Sequence, residues 1–237
     1  MIWIRSVLFT AWLFFWTAAL GTAYLPLLIL PRRFMARGLK IWAYIMLFGL
    51  RWLTNVRVEI RGQAYVPRGA ALIAGKHMGM LDTIVPFVVL PDVCFVMKRE
   101  LTFIPLFGWH AMKATMIWID RGAQAKALRK MVTDAQDRFV HDRQLVIFPE
   151  GTRKVPGAEP DYKPGVAALY RDLNLPCSLI ATNSGQHWPA KGILRHPGTV
   201  VFEFLEPLPA GLKRGEFMKE MQARIETASN ALMAENL

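Results

Sequence analysis

The sequence predicts an α/β fold, with one compact domain behind a hydrophobic helical membrane segment, on three observations. At 237 residues the chain has room for one substantial domain and a membrane segment. From residue 56 onward, short runs rich in β-branched and aromatic residues alternate with helical stretches, punctuated by Gly and Pro. Ahead of them, residues 6–31 form 26 consecutive positions without a formal charge, long enough to cross a bilayer core.

The N-terminal stretch lies between Arg5 and Arg32 and is rich in Leu, Phe, Trp and Ala. Its length, the single basic residue before it and the lack of a small-x-small site read as a retained segment and not a cleaved signal. A second apolar run, 41–50, is bounded by Lys40 and Arg51 and is too short to span alone. It either lies in the interface or forms the second arm of a hairpin. Between the runs stand Arg32, Arg33, Arg37 and Lys40, which the positive-inside tendency assigns to the cytoplasmic side. Residues 1–53 are therefore expected to attach to the membrane, as one spanning helix or a re-entrant two-helix hairpin, and 54–237 to form the domain.

Within that domain, strands are expected at 56–60, 71–74, 94–97, 116–119, 145–148, 177–181 and 199–205. Leu128, Met131, Val132, Ala135, Phe139 and Val140 recur at helical spacing over 123–141, with a basic outer face. Another helix is expected at 166–173. Phe217, Met221, Ile225 and Ala228 give a third, over 215–234. No internal repeat or linker follows residue 56.

Composition narrows the partners. Hydrophobic residues make up 53% with eight tryptophans, and mean hydropathy is +0.24. Net charge is +11. A basic nucleic-acid binder has no need of the oily N-terminus, so the charge is assigned to an anionic membrane surface, with no nucleic acid as partner. Cys94 and Cys177 have neither metal nor redox spacing and read as small buried apolar residues in a reducing compartment. His110, His141, His187 and His196 lack the acidic or cysteine neighbours of a metal site and are assigned structural or surface places. Trp109, Trp118 and Trp188 fit either a core or an apolar path.

The local chemistry centres on Gly75-Lys76-His77-Met78-Gly79-Met80-Leu81-Asp82-Thr83. On a regular helix, His77 and Asp82 would point about 140° apart. A turn is therefore required, with Gly79 supplying an unusual backbone conformation, Asp82 at the start of a helix beginning near Thr83, and Pro86 in its first turn. So folded, Asp82 would orient the imidazole and His77 would act as a general base. Spacing alone equally fits a helix-capping Asp beside a polar His. A nucleophilic triad has little to draw on, since the serines are Ser6, Ser178, Ser184 and Ser229 and none sits in a Gly-x-Ser-x-Gly elbow. Ser184 alone is a plausible nucleophile, and its Asn183-Ser184-Gly185 setting reads as a turn.

The turn Phe148-Pro149-Glu150-Gly151-Thr152-Arg153 changes this reading. Together with His77-x4-Asp82, Lys98-Arg99-Glu100-Leu101 followed by Ile104-Pro105 and Gly108, and Ile119-Asp120-Arg121, it resembles the lysophosphatidic acid acyltransferases, or 1-acyl-sn-glycerol-3-phosphate acyltransferases. The resemblance covers roughly 56–208. It implies a glycerolipid-acyltransferase-like domain, a mostly parallel mixed sheet flanked by helices. It also implies acyl transfer from an acyl carrier protein or coenzyme A thioester, as co-substrate with no bound cofactor, to the sn-2 hydroxyl of lysophosphatidic acid, giving phosphatidic acid.

By the same resemblance His77 is the base and Asp82 its orienting partner. Lys98 and Arg153 hold the acceptor's phosphate, and Glu150, Gly151 and Thr152 shape the acceptor site. Arg99 and Arg121 are able to exchange roles with Lys98. The implied setting is the inner membrane with the catalytic domain facing the cytoplasm, acyl carrier protein being a further partner. Two positions depart from the family pattern. Lys76 stands where many members have Asn, adding a charge that acts on the base or on an anionic substrate, and Leu179 stands where many have a second proline. Rival readings are another lysolipid acceptor such as lyso-ornithine lipid, a non-catalytic membrane lipid-binding protein, and a hydrolase using Ser184.

Overall fold

A computed structural model describes residues 1–120, Gly122 and residues 124–235. Two long helices come first, α1 (Ile2–Ala23) and α2 (Arg32–Thr54), joined by a short 3-10 turn at Leu25–Leu28. They pack side by side, so the second apolar run is the other arm of a hairpin. Close packing depends on Gly49, where an added Cβ would lie 2.3 Å from Nε1 of Trp12. Trp12 itself donates that N–H to the Ile45 carbonyl at 3.1 Å. Asn55, in the left-handed conformation that Asn tolerates, closes α2 and turns the chain into the sheet.

The sheet has seven strands: β1 (Val56–Arg61), β2 (Ala71–Gly75), β3 (Val93–Lys98), β4 (Ile117–Ile119), β5 (Gln144–Ile147), β6 (Cys177–Thr182) and β7 (Gly198–Leu208). Their order is β1-β7-β6-β2-β5-β3-β4, and every neighbouring pair is parallel except β6 with β7. The predicted mostly parallel mixed sheet is thus observed. All residues of β2, β5 and β6 are buried, as expected of central strands covered on both faces. The connecting helices are α3 (Leu81–Val89), α4 (Phe107–Lys113), α5 (Gln124–Phe139), α6 (Gly165–Leu173), α7 (Ser184–His187) and α8 (Arg214–Ala234).

Every expected strand exists, with ends shifted by a few residues. Phe148 lies one residue past β5, and β7 runs longer than expected because it pairs β6 on one side and β1 on the other. The larger difference is α3. It begins at Leu81, so Asp82 stands inside its first turn and Pro86 in its second, where the ring removes the N–H that would reach the Asp82 carbonyl.

The hairpin shares one apolar core with the α/β layer, since Phe9, Leu13, Met35, Met46 and Leu50 are buried in the same cluster as Leu72, Ile73 and Leu145. Its contacts are polar as well. Arg32 forms a two-pronged pair with Asp92 at 2.8 and 2.5 Å, and Asp92 also meets the buried Arg143 at 3.3 Å. Arg143 donates further to the carbonyls of Val93, Ala114 and Thr115, tying β3 to the segment before β4. Cys94 and Cys177 are buried free thiols, and burial pushes both up from the ordinary value, Cys177 to about 12.

Candidate active site

The five strands β4, β3, β5, β2 and β6 run in one direction, so their carboxyl ends share one edge of the sheet, where open α/β sheets bind ligands. His77 lies two residues past β2, Glu150–Arg153 follow the adjacent β5, and Lys98 ends β3 on the far side of β5. Strands packed about 4.8 Å apart put the line of β3 about 10 Å from that of β2.

Asp82 closes the turn that carries His77. Its Oδ2 accepts the main-chain N–H groups of Met78 at 2.6 Å and Gly79 at 2.8 Å, and lies 3.0 Å from Nδ1 of His77. An acceptor-only carboxylate oxygen requires Nδ1 to carry the hydrogen, which leaves Nε2 with a free lone pair. Asp82 is 1% exposed and His77 14%, so the carboxylate is buried while the imidazole reaches the surface. The imidazole stacks on Phe148 at 4.1 Å and 15°, with Phe95 behind that ring, which holds its plane. Gly79 does not use a left-handed conformation as expected. It is needed because an added Cβ would lie 2.6 Å from the Trp188 carbonyl oxygen.

Glu150 is buried behind His77, with both carboxylate oxygens taken up inside the protein. Its Oε2 accepts the His77 main-chain N–H at 3.3 Å and its Oε1 accepts Nζ of Lys76 at 2.9 Å. Burial pushes the Glu150 carboxyl above the usual range, while Lys76 pulls it down. This also corrects the expectation for Lys76. Leaving β2, successive side chains point to opposite sides, so the lysine turns inward where the histidine turns out. The Lys76 ammonium is bound to Glu150 and, at 2.7 Å, to Glu226 of α8, away from any incoming anion. Tyr162 donates its hydroxyl to the same Glu226 oxygen at 2.9 Å. Sequence reading missed Glu226 and Tyr162, since nothing local marks residues so distant in the chain.

After Glu150 the chain turns through Gly151, whose φ of 65° favours glycine and whose N–H bonds the Phe148 carbonyl at 2.9 Å. Thr152 and Arg153 are exposed, and the Lys154 N–H then returns to the His77 carbonyl at 2.8 Å. Arg153 thus stands one residue from a main-chain bond to His77. Lys98 is exposed on the same sheet edge, and neither cation forms an ion pair among the described residues. Arg99 is engaged with Asp120 at 2.8 Å, and this bond holds the Asp120 carboxyl below its ordinary value. Arg121 lies outside the described residues.

The remaining candidates separate cleanly. Ser184 is fully buried and its hydroxyl bonds no base, which is incompatible with a nucleophile. Trp188 is core, packed edge-on against Phe9 at 5.2 Å, and Trp109 is exposed. Among the described residues no group of three or more His, Cys, Asp or Glu is placed to hold a metal. Nδ1 of His187 lies 3.0 Å from the His196 carbonyl oxygen, and Nδ1 of His110 bonds the Leu106 carbonyl.

Comparison with known proteins identifies the family. The acyltransferase family model matches residues 57–202. A 1-acyl-sn-glycerol-3-phosphate acyltransferase of Pseudomonas aeruginosa is 30% identical, over 98% of this chain and 91% of that one. The enzyme of that name from Helicobacter pylori is 29% identical over 73% of each chain, and the sheep alpha form is 31% identical over 71% of this chain and 60% of its own. The crystal structure of the 1-acyl-sn-glycerophosphate (LPA) acyltransferase of Thermotoga maritima has the same fold, with a TM-score of 0.79 over 99% of this chain and 100% of that chain at 18% identity. The family model over residues 57–202 and a match that runs almost the whole length of a relative leave one assignment: the chain belongs to the 1-acyl-sn-glycerol-3-phosphate acyltransferase family and is an enzyme.

Proposed function

We propose that the protein transfers a fatty acyl group from an acyl carrier protein or coenzyme A thioester to the sn-2 hydroxyl of 1-acyl-sn-glycerol-3-phosphate, forming phosphatidic acid. The observation that carries this is an oriented His77, held by Asp82, with Arg153 one residue from a main-chain bond to it and without an ion-pair partner among the described residues. Nε2 takes the proton of the acceptor hydroxyl as its oxygen attacks the thioester carbonyl. Collapse of the tetrahedral intermediate breaks the C–S bond, and the imidazolium returns the proton to the leaving thiolate. Asp82 stabilises the imidazolium between these steps. Arg153 offers a fork to two phosphate oxygens, with Lys98 a second charge on the same edge.

The acceptor is a membrane lipid, and the hairpin supports attachment at the inner membrane with the catalytic domain on the cytoplasmic face. Helix α1 is long and apolar enough to cross a bilayer, with Trp3, Phe14 and Phe15 exposed. Both of its ends, however, touch the α/β layer. Near the start, Ser6 Oγ accepts the Arg195 N–H at 2.9 Å, and near the end a Cβ on Gly21 would meet Leu106 at 3.4 Å. A helix about 33 Å long that contacts one domain at both ends favours a hairpin lying in one leaflet over a span. Arg33, Arg37 and Lys40 beside it suit anionic headgroups, each contributing about 1 kcal/mol near the surface.

The test is acyl transfer by purified protein in mixed micelles with both thioester donors. Wild type should form phosphatidic acid, and His77→Ala should lower kcat by about a thousand-fold. Arg153→Ala should raise KM for lysophosphatidic acid more than for a phosphate-free lysolipid. Equal wild-type rates on lyso-ornithine lipid would overturn the phosphate assignment.

A further inference from the structure

Behind the base lies a buried charge cluster that the reaction as written does not use. Lys76, with its side chain 4% exposed, donates to Glu150, at 0%, and to Glu226, at 16%. Glu226 stands on α8, 150 residues along the chain from Lys76, and receives Tyr162 from the loop before α6. The links form a closed ring at the catalytic turn. Lys76 Nζ holds one oxygen of Glu150, the other oxygen holds the His77 N–H, and His77 is the next residue after Lys76.

We propose that Glu226 is a positioning residue for acyl transfer, setting the Lys76 ammonium against Glu150 and, through Glu150, the main chain that carries His77; Tyr162 supports it by fixing the Glu226 carboxylate. The inference rests on the acyl transfer proposed above. Three observations carry it. Lys76 has two carboxylate partners where one would neutralise it, so its ammonium is placed by the balance between them. Glu226 shares a single oxygen between Lys76 and Tyr162, which restricts the carboxylate from two directions. The 3.3 Å contact from His77 N–H to Glu150 is the longest in the relay, just beyond the usual range for an N–H donor, so a small shift of Glu150 is felt there first.

The same arrangement makes α8 part of the active-site support. Its inward stripe of Phe217, Met221, Ile225, Ser229 and Leu232 is buried against the sheet, which clamps the neighbouring Glu226 in register. A purely structural ion pair predicts something different. Loss of Glu226 would then reduce the amount of folded enzyme without changing the turnover of the folded fraction.

The experiment is a double-mutant cycle on full-length protein, with kcat and KM normalised to folded fraction by circular dichroism. Glu226→Gln should lower kcat about ten-fold with KM for donor and acceptor within about two-fold, and Tyr162→Phe should lower kcat about three-fold. Lys76→Met should lower kcat further, and adding Glu226→Gln to it should cost nothing more, because Glu226 acts through Lys76. If Lys76→Met does not fold, the kcat-against-KM split of Glu226→Gln and Tyr162→Phe decides. Unchanged kcat per folded molecule in Glu226→Gln, or additive losses in the double variant, would overturn the proposal. All variants are compared on whichever lysolipid the wild type acylates, so wild-type inactivity towards lysophosphatidic acid would count against the acceptor assignment alone.

Discussion

Asp82 uses one oxygen for two tasks, closing the turn and orienting the His77 imidazole, and different substitutions separate them. In Asp82→Asn the amide oxygen can still accept the Met78 and Gly79 N–H groups, while the charge that stabilises the imidazolium is gone. We expect kcat to fall about a thousand-fold with little loss of stability, measured by steady-state kinetics and urea unfolding. Asp82→Ala leaves two buried N–H groups without an acceptor and should also destabilise the fold by about 2–4 kcal/mol. The sequence showed the identities of these residues well, but not always their reasons. Gly79 was read as a conformational glycine and is a packing one, because its neighbour, the Trp188 carbonyl, is more than a hundred residues away. For Lys76 the sequence leaves two roles open, a charge acting on His77 or one offered to an anionic substrate, and the structure binds its ammonium to Glu150 and Glu226. Its burial depends on Glu226, which no local pattern connects to it.

At the level of elements, periodicity located what is amphipathic and said least about what is short. The seven strands and the helices α5, α6 and α8 were legible because each buries one face, or in the central strands both faces, over several residues. Helices α4 and α7 span seven and four residues, too few to show a period. Helix α3 begins at Leu81 and not near Thr83, because the Asp82 bonds hold the preceding turn tightly enough for the helix to start two residues earlier. For the hairpin, the sequence left two arrangements open, and Gly49 is the residue through which they differ. Gly49→Val would drive a branched side chain into the Trp12 ring and should cost about 1–3 kcal/mol through overpacking. Gly21→Ala, facing Leu106 at 3.4 Å, should be tolerated. Thermal unfolding in detergent distinguishes the two.

For the whole molecule, the question is what joins the N-terminal hairpin to the α/β layer, and the charged part of the answer is Asp92. It receives Arg32 from the start of α2 and Arg143 from the residue before β5, so one carboxylate links hairpin, sheet edge and helix connection. Partial burial alone would raise its pKa, but the hydrogen bond from Arg32 and the charges of Arg143 and Arg32 outweigh this and hold the carboxyl below its ordinary value. The folded state therefore gives up this proton more readily than the unfolded chain. The stabilisation is present in full above the unfolded carboxylate pKa of about 3.9 and is lost as pH falls through the lower folded value. Asp92→Asn removes that term and leaves Arg143, 1% exposed, without its counter-charge although its carbonyl acceptors remain. At pH 7 the variant should be less stable by about 3 kcal/mol. The gap to wild type should narrow as pH drops below about 4, because the unfolded wild-type chain then takes up this proton while the folded carboxylate holds its charge down to a lower pH. Urea unfolding of both proteins at pH 7, 5 and 3.5 measures this. A gap independent of pH would mean that Asp92 joins the hairpin to the sheet by shape and hydrogen bonding, without its charge.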